Sequence, residues 1–558
     1  MKRFTVISVM LILGAALAFA GGQGASGASG GLTTIQMTHI GTSAIGIQEG
    51  YYWTDILKED LGVQLDLVAS TPDNIKAMLA ARDFPELVVT NQVNEIQTAI
   101  RAGMFINLDD YRDKLPNLFA NGGQGMLQYH RDNFSNGTGQ LNAIRFTATT
   151  QSAARGGNNY GPYLRWDYYK ELGMPAINSL EDYLPLLKAM ADRHPVNEEG
   201  QKVYGISLWP NWDESRHMMV VSDCLAPNAG ITTIGTSFLE LNLQTSVLTS
   251  YMDDNSFYKR GLKFFFIANQ MGLLDPDSIT QTWDNFLEKA TAGRTLFSFW
   301  SWGFGNFNTP ARAEQVVGFK MVPFEGQKVL STVNPNYIGG QCFLAVNKNH
   351  QNLDKILEFI NYIYDYDNFL KLSWGPKGIA WDVDSAGEPY VTELGWKMRT
   401  ESLEFPNGGE LGYGFKWSTG EPSLHGRNIH PVYKRSIGGS DWIKKAFAPK
   451  DTPLEADWKK IMNAEDDVDY ITKNDIIREA PFAGLPSVPD DIQALILRVG
   501  AVIQPASWQA VFARNEAEFN AIWTKMQADA KGLGIDRVNE WFANAYNKAK
   551  AEGAKYMR

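Results

Sequence analysis

Cysteine is nearly absent: the 558-residue chain carries 2, which excludes a disulfide-stapled scaffold and a thiolate-rich metal site. Histidine is scarce as well, with 7 scattered singly. None forms the H-E-x-x-H pattern of a zinc protease, and His425 and His430 are spaced too widely for one helical turn. The string G-x-S-x-G occurs at Gly27–Gly31, inside a glycine-rich stretch with no strand pattern before it and so not as a nucleophile elbow, and no phosphate-cradling G-x-x-x-x-G-K-[ST] occurs. Basic residues are in deficit, with 51 Lys and Arg against 62 Asp and Glu, a net charge of −11. That sign argues against nucleic acid and anionic lipid as partners. Long apolar runs are missing beyond the N-terminal stretch, so no later segment is expected to span or anchor in a membrane. What these absences leave open is a carboxylate pair of the glycosidase kind, which needs only a separation of ~5 to 9 Å in space and has no sequence signature.

What is present begins with an export signal. Lys2 and Arg3 precede the apolar stretch Phe4 to Leu17, and Ala18-Phe19-Ala20 supplies the small residues of a cleavage site. The expectation is a secretory signal over 1–20, cut after Ala20, followed by a flexible glycine-rich linker over 21–31. Removing Lys2 and Arg3 leaves 49 basic residues against 62 acidic, a net charge of −13. A lipid-anchored form would need cysteine at the new N-terminus, but the first cysteine is Cys224, so a periplasmic location is expected. In such a compartment Cys224 and Cys342 could pair, or could stay as buried small hydrophobes.

The length exceeds the ~250 to 300 residues at which a single core stops growing, so at least two lobes are expected. Strand and helix patterns alternate from TIQMTHI onward, which predicts an α/β lobe with a largely parallel sheet. Thr71-Pro72 opens one helix as N-cap and first position, and Gly103 closes the helix over Asn94 to Ala102. Ser179 and Asp182 form a capping-box pattern before Leu180, Leu184 and Leu187. Patterned helices follow over Tyr258 to Gly272 and Thr282 to Gly293, and the chain closes on two helices broken at Gly532-Leu533-Gly534.

Tryptophan is abundant, with 16 copies, several in segments flanked by glycine or proline. These are Trp209 and Trp212 in SLWPNW, Trp300 and Trp302 in FSFWSWG, and Trp374 and Trp381 in WGPKGIAW. If 297–303 is extended, alternation turns Phe297 and Phe299 to a core and Trp300 and Trp302 to the opposite face. Indole faces of this kind suit the C–H faces of sugars, the alternative at each of these positions being a place in the core. Asn91, just past the LVVT run, and His39, after the first strand, fall at the carboxyl edge of a sheet, where α/β folds bind ligands, with a structural role the alternative for the lone His39.

Several stretches resemble the extracellular solute-binding proteins (family 1) of ABC importers. YLRWDYYKELGMPAINSLEDYLPLLKAMADRHPVNEEGQKVYGIS is similar to that family's Arg-Asp and Leu-Gly-Pro segment with its long amphipathic helix. FYKRGLKFFFIANQMGLLDPDSITQTWDNFLEKATAGRTLFSFW resembles its helix, its G-L-I-D-P turn and the aromatic run beyond. VVGFKMVPFEG and IGGQCFLAVNKNHQNLDKILEFINYIYD resemble later strands, and EFNAIWTKMQADAKGLGIDRVNEWFANAYNKA the closing helices of its long, oligosaccharide-binding branch.

The resemblance implies a two-lobed α/β clamshell of type II, with a ligand cleft between the lobes and a helical C-terminal extension. It implies an N-terminal lobe from 32–149 and 336–373 and a C-terminal lobe from 150–335 and 374–558. It further implies a monomer without catalytic residues that closes on a sugar, in particular an oligosaccharide, and delivers it to an ABC permease. A secreted carbohydrate-active hydrolase and a same-fold binder of peptide or another solute are the alternatives. Tyr160, Tyr163 and Arg165 fall at the first crossing between lobes, with Arg165 able to hold a sugar or to pair with Asp167. Tyr337, with Asn334 and Asn336, precedes the second crossing. Cys224 and Cys342 fall in different lobes, so a bond between them would oppose closure, and free thiols are expected. The family's calcium loop corresponds to Asp192–Gly200, but Arg193, His194 and Pro195 stand where ligands should begin. No metal or other cofactor is therefore expected.

Overall fold

A computed structural model describes residues 31–40, 45–148, 160–213, 216–327, 338–340, 342–401, 423–424, 426, 428–438, 451–474, 484–486 and 488–556. The expected signal and linker lie outside these residues, apart from Gly31.

The first sheet has six strands in the order β2-β3-β1-β4-β13-β5. They are β1 (Thr33–His39), β2 (Gly46–Ile47), β3 (Val63–Ala69), β4 (Leu87–Thr90), β5 (Ile144–Arg145) and β13 (Phe343–Val346). β1 runs parallel to both β3 and β4. The rest is antiparallel: β13 against β4 and β5, and β2 against β3. The parallel sheet read from the sequence is thus the central three strands, extended by a strand that returns some 250 residues later.

The second sheet has the order β12-β6-β11-β7, from β6 (Tyr160–Arg165), β7 (Tyr204–Ile206), β11 (Thr295–Trp300) and β12 (Phe319–Met321). β7 and β11 are parallel, and β6 opposes both β11 and β12. A small antiparallel sheet of β8 (Ile231–Thr233), β9 (Leu239–Asn242) and β10 (Val247–Ser250) lies in the same body. The hairpin of β14 (Trp381–Val383) and β15 (Pro389–Val391) belongs to the first.

Local sequence explains most helix ends. Thr71 Oγ1 accepts from Asn74 N at 3.2 Å to start Pro72–Ala81, and the Ser179–Asp182 capping box forms as read. A second box, Thr282–Asn285, starts Trp283–Thr291. Gly103, at φ +66°, takes the left-handed turn after the helix Val93–Arg101.

Burial divides the chain into two bodies. Residues from Ile35 to Ala148 and from Cys342 to Ile437 bury their side chains around the first sheet. Residues from Tyr163 to Val322 and from Leu454 to Tyr546 do so around the second. The change of lobe expected at 374 is therefore placed later by the packing, because Trp374, Trp381, Met398, Leu424 and Ile437 fill the first core. Neither cysteine is in a disulfide, and both are buried, one in each body.

The helical extension packs on the second body through Asp490–Val511, Glu516–Gly532 and Ile535–Gly553. Its last helix then reaches back. Asn539 Oδ1 accepts from Phe238 N at 3.2 Å in the second body, while Ala549 and Tyr556 sit in the first, Tyr556 edge-on to Tyr129 at 5.2 Å. Gly125 admits that approach: a Cβ there would lie 1.7 Å from the Tyr556 carbonyl oxygen.

Candidate functional site: a tryptophan platform

β11 alternates as the sequence predicts. Phe297 and Phe299 are buried, their rings 4.7 Å apart, and Phe297 lies 4.8 Å from Tyr183. Trp300 emerges half-buried at the strand's carboxyl end. Because β7 is the parallel neighbour of β11, the segment after β7 emerges at the same edge and brings Trp209 and Trp212 to Trp300. The Trp209 and Trp212 rings lie 6.5 and 5.7 Å from that of Trp300.

A fourth indole joins them. Trp283, in the first turn of Trp283–Thr291, stacks on Trp212 at 4.8 Å and 26° and meets Trp209 at 4.7 Å. Phe286, one turn further on, closes the floor 4.5 Å from Trp209. Trp209 is 1% exposed and backs the cluster, whereas Trp212, Trp283 and Trp300 are half-buried and present surface. Trp283 escaped the sequence reading because it lies inside a strong helical pattern; the signal that could have found it is its position next to the Thr282 cap.

A buried polar network fixes the end of β7. Ser207 Oγ donates to Asp275 Oδ2 at 2.7 Å and accepts from Gln281 Nε2 at 2.6 Å, and Leu208 N donates to Ser278 Oγ at 2.9 Å. Lys289 closes on Asp275 and Asp277 at 2.7 and 2.8 Å. Burial pulls the Lys289 ammonium down, but the two carboxylates outweigh it and hold its pKa above the usual value. Asn211 Oδ1 accepts from Trp283 N at 2.9 Å and joins the two segments that carry the platform. Beneath Trp300, burial pushes the Cys224 thiol well up, with a Trp300 hydrogen bond acting the other way. It therefore stays a thiol.

Other expected site residues are engaged elsewhere. Trp374 and Trp381 are 5% and 3% exposed, and their indole N–H groups donate to Ile437 O and Gly375 O, both at 2.9 Å. They are core of the first body because apolar area and N–H are both satisfied there. Arg165 takes the structural alternative: it grips Asp167 at 2.9 and 2.6 Å and lies over Tyr168 at 3.9 Å, 6% exposed. Tyr163 is buried with its hydroxyl directed to Asp467. His39 is buried at the end of β1, and exposed Asn91 accepts from Gln92 Nε2 at 2.6 Å. Tyr160 pairs with Trp300 through the backbone across a register shift, and Trp302 lies in the turn Ser301–Phe304. Their side chains, and Asn334, Asn336 and Tyr337 altogether, are outside the described residues.

The loop Asp192–Gly200 is closed by its own bonds. Lys188 meets Asp192, Arg312 meets Glu198 at 3.2 Å, and Asn197 Oδ1 accepts from Glu199 N and Gln201 N at 3.1 and 2.8 Å. His194 stacks on Tyr168 at 3.6 Å and lies 2.6 Å from Glu171. Among the described residues no group of three or more His, Cys, Asp or Glu is placed to hold a metal ion, and no helix is long and apolar enough to cross a membrane.

The fold, two α/β bodies with a helical extension, is similar to that of ABC-transporter solute-binding proteins. An HMO-binding solute-binding protein from Bifidobacterium longum infantis ATCC 15697 aligns over 93% of this chain and 99% of its own, at 16% identity and a TM-score of 0.59. The Streptococcus pneumoniae substrate-binding protein FusA, as an EF-hand mutant with fructo-nystose, aligns over 93% and 100% at 14% identity and TM-score 0.60. The alginate-binding protein AlgQ2 without calcium ion aligns over 92% and 98% at 13% identity and TM-score 0.57. No family model and no curated protein matches the sequence.

Proposed function

We propose that this protein is the carbohydrate-capturing component of an ABC importer, exported to the periplasm, binding an oligosaccharide and handing it unaltered to a permease. The observation that carries the reading is the platform itself. Three half-buried indoles, Trp212, Trp283 and Trp300, converge at the carboxyl edges of two adjacent parallel strands, with Trp209 and Phe286 behind them. Their faces supply the apolar, polarisable surface on which pyranose and furanose rings stack. The shared fold supports it, since its relatives above bind HMO, fructo-nystose and alginate.

One acid beside the platform is withdrawn from the general-acid role that a hydrolase would need. Asp213, next to Trp212, is 1% exposed, and both its oxygens accept from protein donors. A general acid must instead reach the glycosidic oxygen. Calcium has no part in this reading, because Asn197, Asp192 and Glu198 have partners within the fold.

The test is a thermal-shift screen of the protein from Gly21 onward against fructo-nystose, kestose, HMO and alginate oligosaccharides and peptides, with each bound sugar recovered and analysed. Stabilisation by a sugar recovered intact is the expected result, since a ligand that prefers the native state raises the melting temperature. A cleaved sugar would hand the case to a hydrolase. Stabilisation by peptides alone would keep the fold and remove the carbohydrate.

A further inference from the structure

The segment bearing Trp209 and Trp212 is tied to a helix almost three hundred residues away. Asp213 Oδ2 accepts from Trp508 Nε1 at 2.6 Å, across a sequence separation of 295, and from Gln504 Nε2 at 3.2 Å. Its Oδ1 accepts from Met219 N at 2.9 Å. Gln504 and Trp508 are one turn apart on Asp490–Val511. Backbone bonds run from Asp213 N to Pro210 O and from Arg216 N to Asp213 O, both 3.0 Å. A second tie runs alongside: Met218 N donates to Tyr258 Oη at 2.8 Å, and Tyr258 Oη meets Ser507 Oγ on the same extension helix at 2.8 Å.

We propose that Asp213 is a positioning residue for ligand capture: by accepting from Trp508 and Gln504 it holds Trp212 against Trp283, so the C-terminal extension sets the shape of the stacking surface. The proposal rests on reading that surface as the sugar site. Its chemistry is one-sided, because all three partners of Asp213 donate. An ionised carboxylate meets them with acceptors alone, whereas the acid would turn one oxygen into a donor facing donors.

Burial pushes the Asp213 carboxyl up, to about 6, against the pull of Trp508, Met219 and Gln504. Around it stand Asp223 and Cys224 from the turn Val220–Leu225, Arg216 and His217 on its own segment, and Tyr258 from Phe257–Gln270. A pKa raised by folding means that ionisation costs stability: the contribution of the neutral form is present at low pH and is lost as pH rises from 3.8 through about 6. Positioning has the opposite sign, since the ionised form makes the tie. Affinity should fall as pH drops through about 6 while stability from this group rises.

The test is Asp213→Asn, with Trp508→Phe as a second variant that keeps an aromatic ring and removes one donor. Kd for fructo-nystose, kestose and alginate oligosaccharides is measured on both sides of that pKa, beside the melting temperature. For Asp213→Asn about tenfold weaker binding above the pKa is expected, with a flattened pH profile and a melting temperature equal to or above wild type. Trp508→Phe should weaken binding in the same direction by less. Wild-type affinity in Asp213→Asn, or a melting temperature falling in step with affinity, would overturn the proposal. A ligand-free arm keeps the two readings apart: with 5-fluorotryptophan, the Trp212 fluorine resonance should shift with pH in wild type and stay fixed in Asp213→Asn. A resonance that ignores pH overturns the tie even if sugars bind. A resonance that moves while none of these sugars binds wild type supports the tie and removes the carbohydrate reading.

Discussion

Two tryptophan groups look alike on the page of sequence and differ in the fold. SLWPNW and FSFWSWG place Trp212 and Trp300 half-buried at one strand edge, joined by Trp283, whereas WGPKGIAW places Trp374 and Trp381 in the core of the first body. Glycine and proline flank both groups, so neither aromatic density nor a loop-like neighbourhood separates a binding surface from core. What separates them is how far the ring is covered. Trp374 and Trp381 have their rings covered and their N–H groups on backbone carbonyls. The platform indoles stay partly exposed.

The largest expected break in this comparison is Trp374→Ala. Removing a buried indole that also bonds Ile437 O should lower stability by about 3 to 5 kcal/mol, read by denaturant unfolding, while sugar affinity of the remaining folded protein is unchanged. Arg165→Ala comes next: leaving the carboxylate of Asp167 without its guanidinium should cost about 3 kcal/mol of stability, again with affinity kept. A large affinity loss for either variant would move that residue into the site.

Trp300→Ala sharpens the other side. Loss of one stacked ring should weaken oligosaccharide binding by about 1 to 3 kcal/mol by calorimetry, with a smaller drop in melting temperature than for Trp374→Ala. Unchanged affinity with a normal melting curve would take Trp300 out of the site.

Glu240 extends the rule to a carboxylate whose partners lie inside the fold. Its oxygens accept from Phe257 N at 2.5 Å and Tyr258 N at 3.0 Å, and burial pushes its pKa up from 4.5 to about 7 against those bonds. The stability contributed by its neutral form is present at low pH and lost as pH rises between those values. Melting temperature measured across that window should therefore fall with rising pH in wild type, and Glu240→Gln should flatten part of the fall. The smallest effect concerns the loop Asp192–Gly200, whose polar groups already have partners. Adding Ca²⁺ should leave the melting temperature where it was, and a clear rise would show that the loop can rearrange into a ligand set.

Much of the fold was legible because local chemistry decides it. Thr71-Pro72, the Ser179–Asp182 box and Gly103 mark helix ends without help from distant residues, and the alternation of Phe297 and Phe299 with Trp300 needs only an extended strand. The placement of Trp212 and Trp300 at one sheet edge was legible for the same reason: both follow strands, and strand ends are readable. The rest depended on partners far along the chain. Whether Arg165 would grip Asp167 or a ligand was undecided in sequence, and the placement of Tyr163 by Asp467 or of Asp213 by Trp508 leaves no local pattern. Trp374 reads like a platform until Ile437 is known to cover its N–H.

The closing helix Ile535–Gly553 has a mechanical consequence. One continuous rod is seated on the second body at Phe542 and Asn539 and on the first at Ala549, with Tyr556 just beyond its end. A hinge of flexible strands would leave many directions of movement open, but a strut pinned at both ends removes those that change the distance between its seats. Any movement of one body relative to the other must then proceed as rotation about the strut or release the Tyr556–Tyr129 contact, and a fluorophore at the chain's end would tell the two apart.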